Sequence, residues 1–356
     1  MEILRTAVRD AVQPGDRVLD LGCGVGVLGL FALEAGAGHV TFVDETAIIE
    51  IARESMARAG FAERCSFVEG SSYDISLPER VDVILSDHLG FFGIDYDVLP
   101  MLADAKARFL APGGRILPEK LTLFAGLLAI EDGKSQPGRW TGKGIPQAFH
   151  WVSETNASMK VGEDVPGDAR MSDAATVATI DLGEAVPDLL QFRAHVSPNR
   201  PDRISGIGGW FAADLGHGHM MTNDPAAPDR IDRSVAVFPL DAPVAVQPGD
   251  AVQISILARP EEHVWYWTLE TSGEKRSQLN LLQLVDQKAA GIQRSSNPSS
   301  ELNARGQIRR QVLSLIDGTR SASEIEEMAF DACTGLRPSD GRLRDEIRRI
   351  LAANTA

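Results

Sequence analysis

Val18-Leu19-Asp20-Leu21-Gly22-Cys23-Gly24-Val25-Gly26-Val27-Leu28-Gly29 is the stretch whose reading decides the fold. It opens as the apolar run of a buried strand. Glycines then alternate at 22, 24 and 26, and Leu28, Leu30, Phe31 and Leu33 follow as the apolar members of a helix. Strand, glycine-rich turn and helix open a doubly wound, nucleotide-binding sheet. Glycine suits the turn because the backbone must bend sharply and let a ligand approach where a Cβ would intrude. A second apolar strand, His39 to Val43, ends in Asp44. A carboxylate at that tip can accept hydrogen bonds from both hydroxyls of a ribose.

The glycine turn alone would serve a dinucleotide equally well. Two details favour S-adenosylmethionine, which leaves as S-adenosylhomocysteine. The spacing is G-x-G-x-G, and Asp20 stands two residues before the first glycine. A carboxylate repels a pyrophosphate and attracts the ammonium of a methionine moiety. The cofactor candidates are therefore Asp20, Gly22, Gly24, Gly26 and Asp44, with Glu45 beside the last. Ser72, Tyr73 and Ser86, which follow the third and fourth strands, join them.

Working outward, residues 1–12 read as a short amphipathic helix, and Pro14-Gly15-Asp16 punctuates before the first strand. A helix over 46–59, a strand over 65–68, a strand over 81–85 and a helix over 97–110 follow, closed by Ala111-Pro112-Gly113-Gly114. Strands alternating with helices imply a parallel, Rossmann-like sheet over 1–118. Ligands bind at the carboxyl ends of such strands, where Asp20, Asp44 and Asp87 all lie. Beyond Pro118 the helical period gives way to short alternating runs: 121–128, 175–180, 190–196, 208–215, 234–239, 252–258 and 264–269. They predict an antiparallel, β-barrel-like domain over 119–290. Its Trp265, Tyr266 and Trp267 read as core. The polar run 291–303 reads as a linker. Three short helices follow over 304–356, the second opened by the capping box Ser321-x-x-Glu324. The fold class is α/β plus β with a small helical tail.

The chain has 356 residues, 44% of them hydrophobic, and a formal net charge of −15. Such a balance excludes nonspecific binding to nucleic acid or to an anionic membrane, which needs clustered Lys and Arg. No apolar run reaches transmembrane length. The start Met1-Glu2-Ile3-Leu4-Arg5 lacks a secretory pattern. Three widely spaced cysteines, Cys23, Cys65 and Cys333, make neither a disulfide framework nor a metal site. A cytoplasmic location is the expectation.

The segment Val81-Asp82-Val83-Ile84-Leu85-Ser86-Asp87-His88-Leu89-Gly90-Phe91-Phe92 resembles the part of protein arginine methyltransferases that leads into their two-glutamate loop. Ala107-Arg108-Phe109-Leu110-Ala111-Pro112-Gly113-Gly114-Arg115-Ile116-Leu117-Pro118 resembles that family's A-R-x-x-L-x-P-G-G-x-x-x-P stretch. Leu4-Arg5-Thr6 is similar to its D-x-x-R-T helix, whose arginine holds the cofactor carboxylate, so the resemblance implies that role for Arg5. Gly208-Gly209-Trp210-Phe211 and Val237-Phe238-Pro239-Leu240 look like its barrel strands. The resemblance spans about residues 4 to 275 and implies methyl transfer from S-adenosylmethionine, a protein or peptide substrate and a homodimer. Residues 134–170 stand where the family has its dimerisation arm and match it poorly.

The departures lie on the acceptor side. In the family two glutamates clamp a guanidinium, a planar donor that suits paired carboxylates. Here the first position is Asp87 and the second falls on Tyr96, flanked by Asp95 and Asp97. Where the family has T-H-W, this chain has Ile231-Asp232-Arg233. The catalytic candidates are therefore Asp87, His88, Asp95 and Asp97, with Tyr96 and Asp232 on the substrate side. Carboxylates also suit an amine, which must shed its proton before it accepts a methyl group. His88 is a second candidate base, as imidazoles commonly are.

In the tail, Val312-Leu313-Ser314-Leu315-Ile316-Asp317-Gly318-Thr319-Arg320-Ser321-Ala322-Ser323-Glu324-Ile325 resembles the L-x-D-G-x-x-x-x-x-E-I signature of PqqD-like peptide chaperones. That resemblance implies recognition of the leader of a ribosomally made peptide. A capping or dimerising bundle is the alternative. Nine arginines against nine acidic residues over 301–356 give no basic face for nucleic acid. The leading expectation is N-methylation of a peptide amine. Its alternatives are arginine methylation through a reworked clamp and a methyltransferase-like binding scaffold.

Overall fold

A computed structural model describes residues 1–131, 140–184, 186–187, 189–259, 264–279, 304–336 and 340–354. The linker expected over 291–303 and part of the arm segment fall outside the described residues. The chain groups into two units, one of residues 1–69 and 77–289, the other of 70–76 and 290–356. The first unit shows no division at residue 118. The short segment 70–76 groups with the C-terminal helices.

The first unit begins with helix α1 (Glu2–Ala11), whose Ala7, Val8 and Ala11 are buried. Strand β1 (Arg17–Leu21), helix α2 (Val27–Ala35), β2 (His39–Asp44), α3 (Ile49–Arg58), β3 (Cys65–Glu69), β4 (Val81–Leu85), α4 (Val98–Phe109) and β5 (Leu110–Leu117) follow. The five strands form one parallel sheet in the order β3-β2-β1-β4-β5. Val18, Leu19 and Leu21 of the central strand are buried, as a parallel sheet covered on both faces requires. Gly29 lets α2 lie close on β2, because a Cβ there would stand 2.1 Å from Phe42. The chain order reverses between β1 and β4, so the crevice of this sheet opens beyond the carboxyl ends of those two strands.

The remainder of the unit is antiparallel. Strands β6 (Lys120–Leu128), β7 (Val161–Glu163), β8 (Ala175–Asp181), β10 (Asp202–Asp214) and β12 (Val235–Val246) pair in the order β7-β12-β10-β6-β8, with β11 (Met220–Thr222) on β10. A short helix, α5 (Trp151–Asn156), precedes β7. A second sheet runs β15 (Lys275–Leu279), β14 (Val264–Glu270), β13 (Val252–Arg259) and β9 (Leu190–Val196). The sheets meet along both sides, β8 beside β9 and β12 beside β15, which gives the barrel-like form. In β9 buried residues alternate with exposed ones and in β13 with half-buried ones, so one face is core.

That core is aromatic. Phe238 packs on Phe92 (5.6 Å between centroids), Trp265 (5.7 Å) and Trp267 (5.5 Å), and Phe92 also meets Phe192 at 6.0 Å. Trp267 donates to the Pro239 carbonyl at 2.8 Å, so its indole N–H is satisfied where it is buried. Trp265 and Trp267 face inward; Tyr266 points out of the other face and is not core. Phe92 follows the parallel sheet's fourth strand yet fills the antiparallel core. This shared packing explains why residues 1–69 and 77–289 group together.

In the second unit, α6 (Ala304–Leu315), α7 (Ala322–Cys333) and α8 (Asp340–Asn354) pack Ile308, Val312, Ile325, Ala329, Leu343 and Ile347 into a small core. Asp317 closes the first turn by accepting from the Thr319 amide and hydroxyl. The capping box forms, Ser321 Oγ accepting from the Glu324 amide and Glu324 from the Ser321 amide. Arg348 of α8 donates to Glu326, to the Tyr73 carbonyl and to Asp74, which ties segment 70–76 to the helices.

Candidate active site

The glycine turn has the backbone its sequence requires. Gly22, Gly24 and Gly26 all have left-handed φ, at 67°, 53° and 82°. A Cβ on Gly24 would meet no atom within 4 Å, so open space lies above the turn. Any other residue would be strained there and would protrude into that space. Asp44 holds the turn down: its Oδ2 accepts from the Gly24 amide at 2.9 Å, and its Oδ1 accepts from the Thr46 amide and hydroxyl.

Asp20 is 1% exposed and accepts from the Gly29 amide at 2.8 Å, in the first turn of α2. A helix N-terminus favours that carboxylate. Burial nevertheless dominates and pushes its carboxyl up to about 7; the Gly29 hydrogen bond opposes this, and the charges of Asp44 and Asp87 add to it. Asp44 and Asp87 thus both lie near enough to Asp20 for their charges to act on it. Burial also raises the Cys23 thiol, with Asp20 and Asp44 adding, so Cys23 stays a thiol.

Beyond β4, Ser86 is buried and its Oγ has no partner; Asp87 Oδ1 is likewise buried and unpartnered. Both residues line a small cavity with Leu4, Val8, Leu28 and Met221. His88 reaches the glycine turn: a side chain at Gly22 would begin 3.6 Å from its Nδ1. Its ring also meets Tyr96 at 5.4 Å. Tyr96 is exposed, and both it and Asp97 have left-handed φ, 58° and 59°. Two consecutive non-glycine residues in that region cost on the order of 1–3 kcal/mol each, and such strain collects at functional loops. Asp97 makes no side-chain cap to α4, and its Oδ1 is buried without a partner.

Several expected residues stand elsewhere. Asp95 is neither solvated nor turned to an acceptor. Its Oδ2 accepts from the Phe91 and Phe92 amides at 2.8 and 2.7 Å, and its Oδ1 pairs with Lys160. It therefore organises the loop. Lys160 lies over the Trp265 ring at 4.1 Å, and burial pushes its ammonium down to about 7. Arg5 stacks on Phe31 at 4.8 Å and lies 3.8 Å from Glu34 of α2, with its side chain half exposed. Glu45 and Asp232 are exposed. Ser72 and Tyr73 lie in the segment 70–76 that groups with the C-terminal helices.

Two residues escaped the sequence reading. Arg233, not its neighbour Asp232, turns inward, and its Nη2 donates to Asp87 Oδ2 at 2.8 Å. Its Nη1 is buried and unpartnered. The available signal was a cation in the loop before β12, opposite a cluster of aspartates. Asn223 is fully buried; it donates to the Phe91 and Ser234 carbonyls and accepts from the Phe211 amide. It ties the Asp87 loop to the segment before β12 that carries Arg233, and a lone Asn between short strands leaves no mark in a sequence. Among the described residues no group of His, Cys, Asp and Glu is arranged to hold a metal, and no helix is long and apolar enough to cross a membrane.

Residues 18–114 match the methyltransferase domain family. Among relatives, protein arginine N-methyltransferase 1 of Chlamydomonas reinhardtii is 28% identical over 216 residues, covering 59% of this chain and 62% of that protein. The Saccharomyces cerevisiae protein of the same name is 27% identical over 261 residues, 69% of this chain and 72% of its own. The chain thus spans somewhat under two thirds of the algal relative. The Trypanosoma brucei PRMT1 enzyme–prozyme complex with AdoHcy superposes with a TM-score of 0.67 at 19% identity, over 78% of this chain and 93% of that one. Arabidopsis thaliana protein arginine methyltransferase 10 superposes with 0.66 at 21%, over 79% and 94%. The open left-handed glycine turn, Asp44 at the tip of β2 and the unpartnered Ser86 hydroxyl fit an adenosyl and methionine group. Residues 18–114 are therefore an S-adenosylmethionine-dependent methyltransferase domain, in a fold shared with the protein arginine methyltransferases.

Proposed function

We propose that this protein transfers a methyl group from S-adenosylmethionine to a nitrogen of a peptide or protein. The observation that carries the reading is the glycine turn open to a ligand, held by Asp44 at the tip of β2, together with the buried unpartnered oxygens of Ser86 and Asp87 after β4. In this reading Asp44 holds the ribose, the turn over Gly22, Gly24 and Gly26 admits the adenosyl and methionine groups, and Ser86 offers a hydroxyl. When bound, the cofactor supplies an electrophilic methyl whose C–S bond breaks, its electron pair passing to sulfur, as the C–N bond forms. The protein then has to place the acceptor and manage its proton. A nitrogen that donates to Asp87 Oδ1 is oriented by it and can leave its proton on that oxygen, with His88 at the turn as a relay to solvent. The task is small for an α-amine of pKa about 7.7–8.0 and larger for a lysine near 10.4.

The relatives are arginine N-methyltransferases, which supports arginine as the acceptor more than any other residue. A peptide amine is supported by a different observation: Asp87, where a guanidinium would dock, already carries Arg233. The C-terminal unit, with its closed D-G turn and capping box, is proposed to hold part of the peptide. The heterotetrameric complex of the Trypanosoma brucei protein supports self-association here, for which a homodimer is the simplest form.

Calorimetric titration of S-adenosylmethionine into wild type and Asp44→Ala tests the cofactor half. Micromolar binding that weakens at least tenfold in the variant is expected, and equal binding would remove Asp44 from the site. Mass spectrometry of full-length enzyme with amine-bearing and arginine-bearing peptides then reads the acceptor. Absence of any methylated peptide would overturn the function.

A further inference from the structure

The carboxylate that stands at the acceptor side of the crevice already carries a cation, and the one beside it in the loop is paired as well. Asp87 Oδ2 receives Arg233 Nη2 at 2.8 Å, and Asp95 is paired with Lys160. A guanidinium approaching Asp87 is attracted by the carboxylate and repelled by Arg233 at a similar distance, so the two effects offset. It also finds one carboxylate oxygen where a planar, forked donor needs two. A guanidinium is therefore disfavoured at Asp87.

The atoms left over describe a different one. Asp87 Oδ1 is buried and has no donor; Arg233 Nη1 is buried and has no acceptor. Orphaned groups of both kinds on one ion pair are costly unless a ligand fills them. Such a ligand carries an N–H for the aspartate and an oxygen for the guanidinium, a few bonds apart. An aliphatic amine next to a carbonyl has this form, as at the amino terminus of a peptide.

We propose that Arg233 determines acceptor specificity: it occupies Asp87 against a guanidinium and, with its free Nη1, receives the carbonyl oxygen beside a terminal amine that docks on Asp87 Oδ1. The inference rests on the reading that Asp87 faces the methyl acceptor. Nothing in it requires Arg233 to take part in the chemistry; it is a positioning and selecting residue.

The test is peptide binding to the full chain, saturated with S-adenosylhomocysteine at pH 8. Two amidated peptides are built on one lysine-free background without other charges; one has a free amino terminus and no arginine, the other is N-acetylated with a single arginine substituted in. Wild type is expected to bind the free-amine peptide at least tenfold more tightly. Arg233→Ala should reverse the order. Arg233→Lys, which keeps the charge but loses the fork, should still reject arginine while binding the amine peptide more weakly. Competition by free alanine at equal affinity would support the same pairing and assign it to an amino-acid ligand. The proposal falls if the arginine peptide binds wild type as tightly as it binds Arg233→Ala, or if neither peptide binds. Mass spectrometry with S-adenosylmethionine separates the two levels: the expected binding order without methylated product would sink methyl transfer and leave the selectivity standing.

Discussion

Asp20 and Asp87 stand at neighbouring strand ends, and their surroundings give them different tasks. Asp20 is enclosed, with the Gly29 amide as donor, and its carboxyl is pushed up to about 7 by burial. A raised folded pKa means that the native state binds the proton more tightly than the unfolded chain. The resulting stability is fully present below the ordinary aspartate range near 4 and is lost as pH rises through 7. A shift of this size corresponds to a cost on the order of 4 kcal/mol at alkaline pH. Asp20→Asn keeps an acceptor for Gly29 and removes the charge. Melting temperatures followed from pH 5 to pH 8 should therefore fall more steeply for wild type than for the variant; parallel curves would contradict the assignment. The sequence shows Asp20 and Asp87 by their positions at strand ends. It does not show that Arg233 lies on Asp87, because an ion pair across 146 residues follows no local pattern.

At the scale of elements, periodicity located the strands that alternate and missed those that do not. Ala111-Pro112-Gly113-Gly114 reads as a turn, yet β5 runs through it. Its pairing with β4 shifts register between Val81 and Val83, and this irregularity takes up the turn residues before Arg115, Ile116 and Leu117 rejoin the ladder. β10 begins at Asp202, six residues before the run that the sequence marks, because Gly206, Gly208 and Gly209 weaken the strand signal. There β6 and β12 flank it and supply the order. β15, Lys-Arg-Ser-Gln-Leu, is polar because it is an edge. The loop after β4 is held by Asp95 and Lys160, whose side chains are 6% and 10% exposed. Removing one member of a buried pair costs roughly 3–5 kcal/mol, because the other is left charged and alone. Lys160→Met should lose that much in guanidinium denaturation, and Asp95→Asn combined with it should recover a good part. A loss below 1 kcal/mol would mean the pair does not hold the loop.

For the whole molecule, the aromatic cluster joins what the sequence presents as two domains. Phe92, from the loop after the parallel sheet's fourth strand, packs among Phe192, Phe238 and Trp265 of the antiparallel sheets. Phe238→Ala empties the centre of this cluster, a change that costs about 3–5 kcal/mol. Unfolding followed both by circular dichroism and by tryptophan fluorescence should show one transition moved to lower denaturant by the two probes alike. Separate transitions would mean that residues 1–118 and 119–289 unfold independently.

The sequence by itself determined the parallel sheet, its glycine turn and the positions of Asp20, Asp44 and Asp87, because these follow from patterns a few residues long. It also determined the change to antiparallel strands after Pro118 and the three terminal helices with their cap. Tertiary structure alone decided what the acidic residues do. It enclosed Asp20, turned Asp95 onto Lys160 and set Arg233 on Asp87. The reason is physical: backbone geometry is set largely by near neighbours, whereas the charge and hydrogen-bonding capacity left to a side chain depend on which distant residue is folded against it.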